Sequence, residues 1–249
     1  MLVSIVTPVK NAARFLPQTL ASVREQTHPQ VEHIVVDGGS TDGTLDLLRA
    51  APGIVWTSEP DSGMYDAVNR GFRLARGEIL AYQNGDDRYV APDVLARVVE
   101  AFRARPELDV LYGDFRYVDE DGRALETSHA PEFDVSALRR YNFIPPHSSF
   151  VRRRVVHEGG FWLDPELRFA GDWEWFLRMA KAGRHFAHFP SVLSEFRRHA
   201  TQATATVGWR RKLDEWRRIC RRHGASFPQL VWHEAVYVPL RRRFRRGAG

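Results

Sequence analysis

GEILAYQNGDD, residues Gly77–Asp87, joins an apolar, β-prone run to an abrupt polar stop. Ile79, Leu80, Ala81 and Tyr82 suit a buried strand, and Asn84, Gly85, Asp86 and Asp87 end it. Upstream, Met64, Val68, Phe72 and Ala75 recur at three- and four-residue spacing, which predicts a helix over 64–76 closed by Gly77. A strand entered from a helix is half of a βαβ unit, with Asp86 and Asp87 just beyond its carboxyl end. Ligands of open α/β sheets bind at that edge. Adjacent carboxylates repel and resist desolvation unless a cation answers them; Mg²⁺ or Mn²⁺ does so with one or two carboxylates and substrate phosphates. The same residue types also make ordinary solvated turns, so the rest of the chain has to separate the two readings.

Before this stretch the pattern repeats. Leu2–Val6 reads as a strand ending at Thr7-Pro8, Val31–Asp37 as a second and Ile54–Trp56 as a third. Helices fall between them, one with Pro17 in its first turn and Leu16, Leu20 and Val23 as its buried stripe. Such alternation predicts an α/β fold with a mostly parallel central sheet covered on both faces. All four strand exits then share one rim, at Thr7-Pro8, Asp37, residues 58–61 and residues 84–87, and their polarity favours the site over the turn.

After Asp87 a helix opens at Pro92, Asp109–Tyr112 reads as a strand, and Phe115–Val118 with Arg123–Glu126 reads as a hairpin. The regular alternation breaks near residue 113. Residues 1–113 form the nucleotide half and 114–206 a second half on the same sheet. Phe143–His147 is a stiff Pro-containing loop before a strand at Ser148–Val151, and a helix starts near Gly171-Asp172. Trp209, Leu213, Trp216 and Cys220 mark an amphipathic helix that opens a basic extension, residues 207–249.

Composition narrows the class. The 249 residues are 43% hydrophobic with seven Trp, ample for a packed α/β core. A single cysteine, Cys220, excludes a disulfide framework and a cysteine-based zinc site. The N-terminus does not read as a signal peptide and no run of eighteen apolar residues occurs, so a cytoplasmic location is expected. Net charge is +5, but residues 209–249 carry +9, leaving −4 on the body. The tail fits either an anionic membrane face or a solvated helix docked on the body. No nucleic-acid motif accompanies it.

VSIVTPVKNAARFLPQTLASVREQ (3–26), VVDGGSTDGT (35–44) and EPDSGMYDAVNRGFRLARGEILAYQNGDD (59–87) together resemble the family 2 glycosyltransferases of the GT-A fold, and FAGDWEWFLRMAKAG (169–183) is similar to that family's later acidic motif. The resemblance implies a Rossmann-like three-layer sandwich. It also implies inverting transfer of a sugar from a nucleotide-diphosphate donor, UDP-sugar favoured, to a saccharide or lipid-linked acceptor, assisted by Mn²⁺ or Mg²⁺. By the same resemblance Asp87 is the direct metal ligand, and Asp86 contacts donor ribose or helps hold the metal. Asn84 departs from a strict D-x-D spelling but still offers an oxygen.

Asp37 suits a ring N–H of the base, uracil by the resemblance, or an Asx turn of its own. Thr7, Pro8 and Asn11 line base and ribose. Asp61 approaches the donor or caps the following helix, and Asp42 caps the short second helix. Inversion needs a base for the acceptor hydroxyl; Asp172 matches the family's base, against an N-cap role, with Glu174 the alternate. His147 meets acceptor or metal, or is a hydrogen-bonded structural residue. Trp173 stacks on sugar or fills core. His185 and His188 lie on opposite faces of a strand and share no metal. A sugar-1-phosphate nucleotidyltransferase is the rival activity, and a non-catalytic nucleotide-sugar-binding relative the rival class. The first wants a Gly-rich basic loop after the first strand, where TPVKNAARF has no glycine. Neither G-x-G-x-x-G at that position nor a Walker motif occurs.

Overall fold

In the computed structural model, which describes residues 1–202 and 206–225, the four N-terminal β-units form as the periodicity predicts. They are β1 (Val3–Val9), α1 (Leu16–Arg24), β2 (Val31–Asp37), α2 (Thr44–Ala50), β3 (Ile54–Ser58), α3 (Met64–Leu74) and β4 (Ile79–Tyr82). The strands pair in parallel in the order β3-β2-β1-β4. β1 continues through Pro8, where the sequence predicts a stop. Its ladder with β4 ends at Val6–Tyr82, so Pro8 has only β2 as a strand neighbour and its missing N–H breaks no second ladder.

Next come β5 (Arg88–Tyr89), α4 (Val94–Ala104), β6 (Val110–Val118), β7 (Ala124–Ser128), α5 (Val135–Leu138), β8 (Ser149–Arg152), α6 (Arg153–His157), α7 (Gly171–Lys181), β9 (Phe186–Arg197) and α8 (Trp209–His223). The whole sheet has nine strands, ordered β3-β2-β1-β4-β8-β6-β9-β5 with β7 on β6. Six of the nine run the same way; β5, β7 and β8 oppose them. The two short strands predicted around Gly113 are one. A Cβ at Gly113 would stand 2.5 Å from Leu193 Cδ1 and 2.9 Å from Ser191 O, so this glycine lets β9 approach rather than ending the strand. The two halves share β6.

Alternate residues of β1 and β4 serve two cores. Val6, Leu80 and Tyr82 pack with Tyr65 and Phe72 of α3 and Trp173 and Phe176 of α7. Val3, Ile5, Ile79 and Ala81 pack with Val98 and Phe102 of α4. The rim of β1, β2 and β4 therefore lies below α3 and α7 on one side. The amphipathic α8 docks on that core through Trp216, Ile219 and Cys220. Among the described residues no helix is long and apolar enough to cross a membrane. The predicted segment 227–246 lies outside them.

Candidate active site

The nucleotide side of the rim is built by loops that lock one another. Asp37 is fully buried; its Oδ2 accepts from the amides of Gly39 and Ser40, both at 3.0 Å, and from Ser58 Oγ at 2.7 Å. Ser40 Oγ donates to Oδ1. The Asx turn is thus formed, while Oδ1, with one partner, keeps acceptor capacity. Asn11 sits at φ 52°, a left-handed position that asparagine tolerates. Its Oδ1 accepts the Thr41 amide at 2.9 Å and its N–H donates to Ser40 Oγ at 2.7 Å. Asp42 accepts the Thr44 amide at 3.1 Å from the position before the α2 cap, which is Gly43 and not Asp42 as expected. Asp61 accepts the Gly63 amide at 2.9 Å ahead of α3, and its other oxygen fills the space a Cβ on Gly38 would occupy. Thr7 and Pro8, expected at the strand exit, lie inside β1, which runs on to Val9, and do not line an open site. Both are buried, with Thr7 Oγ1 2.8 Å from His33 Nε2, whose imidazole burial pushes down to about 4 and keeps neutral.

The two neighbouring acids divide. Asp87 turns inward: it is 1% exposed, one oxygen accepts the Arg197 amide at 3.0 Å and the other Asn84 Nδ2 at 2.9 Å. Burial, then the charge of Asp86, raises its carboxyl well above the usual range. It anchors the loop, almost wholly buried and with one hydrogen-bond partner on each oxygen. Asp86 is partly exposed and lies 2.8 Å from Nε2 of His199, just past the end of β9. Asn84 Oδ1 beside it is buried with no hydrogen-bond partner. The buried Arg197 guanidinium pins the same loop, donating to Asp86 O at 3.0 Å, Glu120 O at 2.8 Å and Gln18 Oε1 at 2.6 Å.

Across the sheet face Asp172 is the second residue of α7, so it is not the cap; that position is Ala170. Tyr65 Oη donates to Asp172 Oδ1 at 3.2 Å and Asn142 Nδ2 to Oδ2 at 3.0 Å. Burial pushes the carboxyl up to about 6, against the lowering effect of these hydrogen bonds and of the Trp173 amide. Between the two sites stands Tyr82, whose buried hydroxyl has no partner and feels the charge of both Asp87 and Asp172.

Three expected acceptor contacts sit elsewhere. Trp173 is 1% exposed and donates from Nε1 to Leu138 O at 2.7 Å, so it fills core. Glu174 is equally buried, bonded to Arg178 and His223 at 3.0 Å. Burial opposes its ionisation, yet His223 and Arg178 hold it below the usual carboxylate range. It fastens α8 to α7 and is no alternate base. His147 is buried edge-on to Phe115 with neither ring nitrogen partnered, and burial drives its imidazole down to about 3. Sequence reasoning missed His199, Tyr65 and Asn142. Only the rule that strand exits share a rim could have flagged His199, had β9 been recognised to its end.

The chain and its fold have known counterparts. Residues 4–164 match the family model described as Glycosyl transferase family 2. An uncharacterized glycosyltransferase of Mycobacterium tuberculosis H37Rv is 35% identical over 184 residues, 72% of this chain and 68% of the relative. A PGL/p-HBAD biosynthesis glycosyltransferase of the same strain is 33% identical over 180 residues, 70% of this chain and 68% of the relative. Residues 1–349 of S. aureus TarS, solved in complex with UDP-GlcNAc, superpose with a TM-score of 0.74 at 18% identity. That match covers 89% of this chain and 66% of the TarS chain. The mannosyltransferase PcManGT of Pyrobaculum calidifontis, solved with GDP-Man and Mn²⁺, gives 0.64 at 21% identity, covering 94% and 68%.

Proposed function

As the chain belongs to glycosyltransferase family 2, we propose that it transfers a sugar from a nucleotide-diphosphate donor, UDP-sugar favoured, to an acceptor hydroxyl with inversion, Asp172 serving as the base. The observation that carries this reading is the partly buried Asp172 carboxyl, held by Tyr65 and Asn142 and raised to about 6. A base is most effective when its pKa lies near the working pH, and ordinary surface carboxylates lie too low. Tyr65 and Asn142 each occupy one oxygen, which fixes the carboxylate plane while leaving lone pairs for the incoming hydroxyl. The proton then passes from that hydroxyl to Asp172 as the oxygen attacks the anomeric carbon. Family membership removes the nucleotidyltransferase alternative.

Asp86, with His199 Nε2 2.8 Å away, and the unpartnered Asn84 Oδ1 are the groups that would hold a divalent cation, His199 giving up its bond to Asp86 to do so. The protein offers few ligands here, which matches Mg²⁺ or Mn²⁺ shared with substrate phosphates. When bound, such an ion supplies Lewis-acid stabilisation of charge on the departing diphosphate. Asp87 holds the loop that presents Asp86. Asp37, Asn11 and Asp61 organise the loops around base and ribose. The acceptor we assign is a saccharide or lipid-linked saccharide, and residues 226–249, outside the described segment, are the candidate contact with an anionic membrane on the cytoplasmic side. Liposome co-sedimentation of a chain lacking 227–249 tests that contact; unchanged pelleting removes it.

Asp172→Asn is the decisive variant. Calorimetry should show UDP bound as in the parent, while UDP release from UDP-GlcNAc in the presence of acceptor or water should fall by at least about a hundredfold, the ordinary worth of a general base. Full turnover in the variant sinks the assignment.

A further inference from the structure

Glu215 lies on α8, beyond the matched family segment, and is 6% exposed. Its carboxylate accepts three consecutive amides, Arg168 at 2.8 Å, Phe169 at 2.9 Å and Ala170 at 3.0 Å. Those residues lead directly into α7, and Asp172 is two residues further on. Amides ahead of a helix have no partner within it and need an acceptor from elsewhere. Here a carboxylate from another helix meets all three, whereas at α4 the distant Gln26 side chain accepts a single entry amide, that of Leu95, at 2.9 Å. Arg211 steadies the carboxylate from the preceding turn at 3.2 Å.

We propose that Glu215 is a positioning residue for the transfer reaction: by gripping the 168–170 backbone it sets where the first turn of α7 places Asp172. The proposal rests on the reading of Asp172 as the base. Tyr65 acts on the same segment, donating to Phe169 O at 3.1 Å as well as to Asp172. A Cβ on Gly171 would stand 2.5 Å from the Tyr65 ring, so the α7 entry has little room to shift by itself. The same segment carries Arg168 against Gly63, next to Asp61, where a Cβ would meet Arg168 Nη1 at 2.9 Å. One carboxylate on α8 therefore sets the spacing between the base and the loop ahead of α3. The opposite end of α8 is fastened independently, by His223 on Glu174 at 3.0 Å.

The test compares Glu215→Gln with His223→Ala. Glutamine keeps the shape and one acceptor oxygen but presents an amide nitrogen to the backbone N–H groups and removes the charge. In Glu215→Gln, hydrogen exchange at the 168–170 amides should accelerate while the rest of α7 stays protected. The ¹³C carboxyl resonance of Asp172, assigned by its loss in Asp172→Asn, should titrate lower by about half a pH unit or more, because a nearby negative charge is gone and local amides are freed. With UDP-GlcNAc as donor, turnover should drop about tenfold or more at unchanged donor KM, the cost of a misplaced group. His223→Ala should lower the melting temperature without moving the Asp172 midpoint. Glu215→Gln with exposed amides and an unshifted midpoint makes Glu215 a mere pin and overturns the proposal, as does unchanged exchange at 168–170. Should glutamine prevent folding, Glu215→Asp replaces it: the charge stays but the shorter side chain loses reach to the three amides. Exchange at 168–170 should then accelerate and turnover fall at unchanged donor KM, and unchanged exchange or turnover overturns the proposal. If Asp172→Asn keeps turnover, the base assignment fails, and the exchange and titration arms still report on Glu215.

Discussion

Tyr65→Phe should move the ionisation of Asp172 upward. The hydroxyl donates to Asp172 Oδ1 at 3.2 Å and to Phe169 O at 3.1 Å, and it is otherwise buried in core that a phenyl ring fills equally well. A hydrogen bond to a charged acceptor contributes about 1.5–3 kcal/mol, and about 1.4 kcal/mol is one pH unit. Shared and long, this one belongs at the low end, about one unit. The sign is fixed: the bond favours the charged carboxylate, so its loss raises the pKa from about 6 toward about 7. The ionised fraction at pH 6.5 then falls from about three quarters to about one quarter, and by pH 8.5 the difference is nearly gone. Turnover of the variant should trail the parent about threefold at pH 6.5 and converge with it above pH 8.5, the acid limb displaced to higher pH. Carboxyl ¹³C titration of Asp172 measures the same shift without turnover. A parent midpoint near 4, or a Tyr65→Phe midpoint that stays or falls, refutes the burial argument for this carboxyl.

Arg197→Met should cost about 3–5 kcal/mol in urea unfolding, because Asp86 O, Glu120 O and the Gln18 side chain lose a buried charged donor; a loss under about 1 kcal/mol contradicts the pinning role. His199→Ala and Asp86→Asn should each weaken Mn²⁺ binding in the presence of UDP by about tenfold or more, whereas Asp87→Asn should chiefly lower the melting temperature. If Asp87→Asn alone abolishes Mn²⁺ binding, the inward-facing role is wrong. Gly77→Ala should destabilise by at least about 1–3 kcal/mol, since its Cβ would lie 2.7 Å from Ser4 N and 2.8 Å from Leu2 O, backbone that cannot step aside; an unchanged thermal midpoint counts against that packing.

The N-terminal half was readable because each of its signals is local. Alternation of β-branched runs with i, i+3, i+4 stripes gave β1 to β4 and α1 to α3. α3 ends at Leu74 with Ala75 as its cap, two residues before the end predicted from Gly77. The second half resisted for a topological reason. β8 runs between β4 and β6 against both, and β9 carries two register shifts beside Gly113 and Asp114, features set by partners far along the chain. For the site, the rim and the acids were legible, yet the division of labour between Asp86 and Asp87 was not. Which carboxylate turns inward depends on Arg197, more than a hundred residues away, offering its amide to Asp87. The same holds for Tyr65, Asn142 and Glu215 around Asp172: each is an ordinary polar residue in its own segment and gains meaning only from what α7 is packed against.

Asp87 and Asp172 share a raised pKa, so the shift alone does not single out the proposed base. Burial lifts both carboxyls, and a list of shifted groups would rank Asp87 beside Asp172 or above it. Access separates them. Asp87 spends one oxygen on a backbone amide and the other on Asn84 with almost no surface left, so a proton delivered there has no partner to come from. Asp172 stands partly open at the entry of a helix, its plane fixed by two side chains, on the face of the sheet shared with Tyr82 and hence with the donor rim. A carboxylate suits the role of base where low dielectric and an open approach coincide, and the proposed base Asp172 meets both at α7, whose core is shared with α3 and whose entry amides are held by Glu215 of α8.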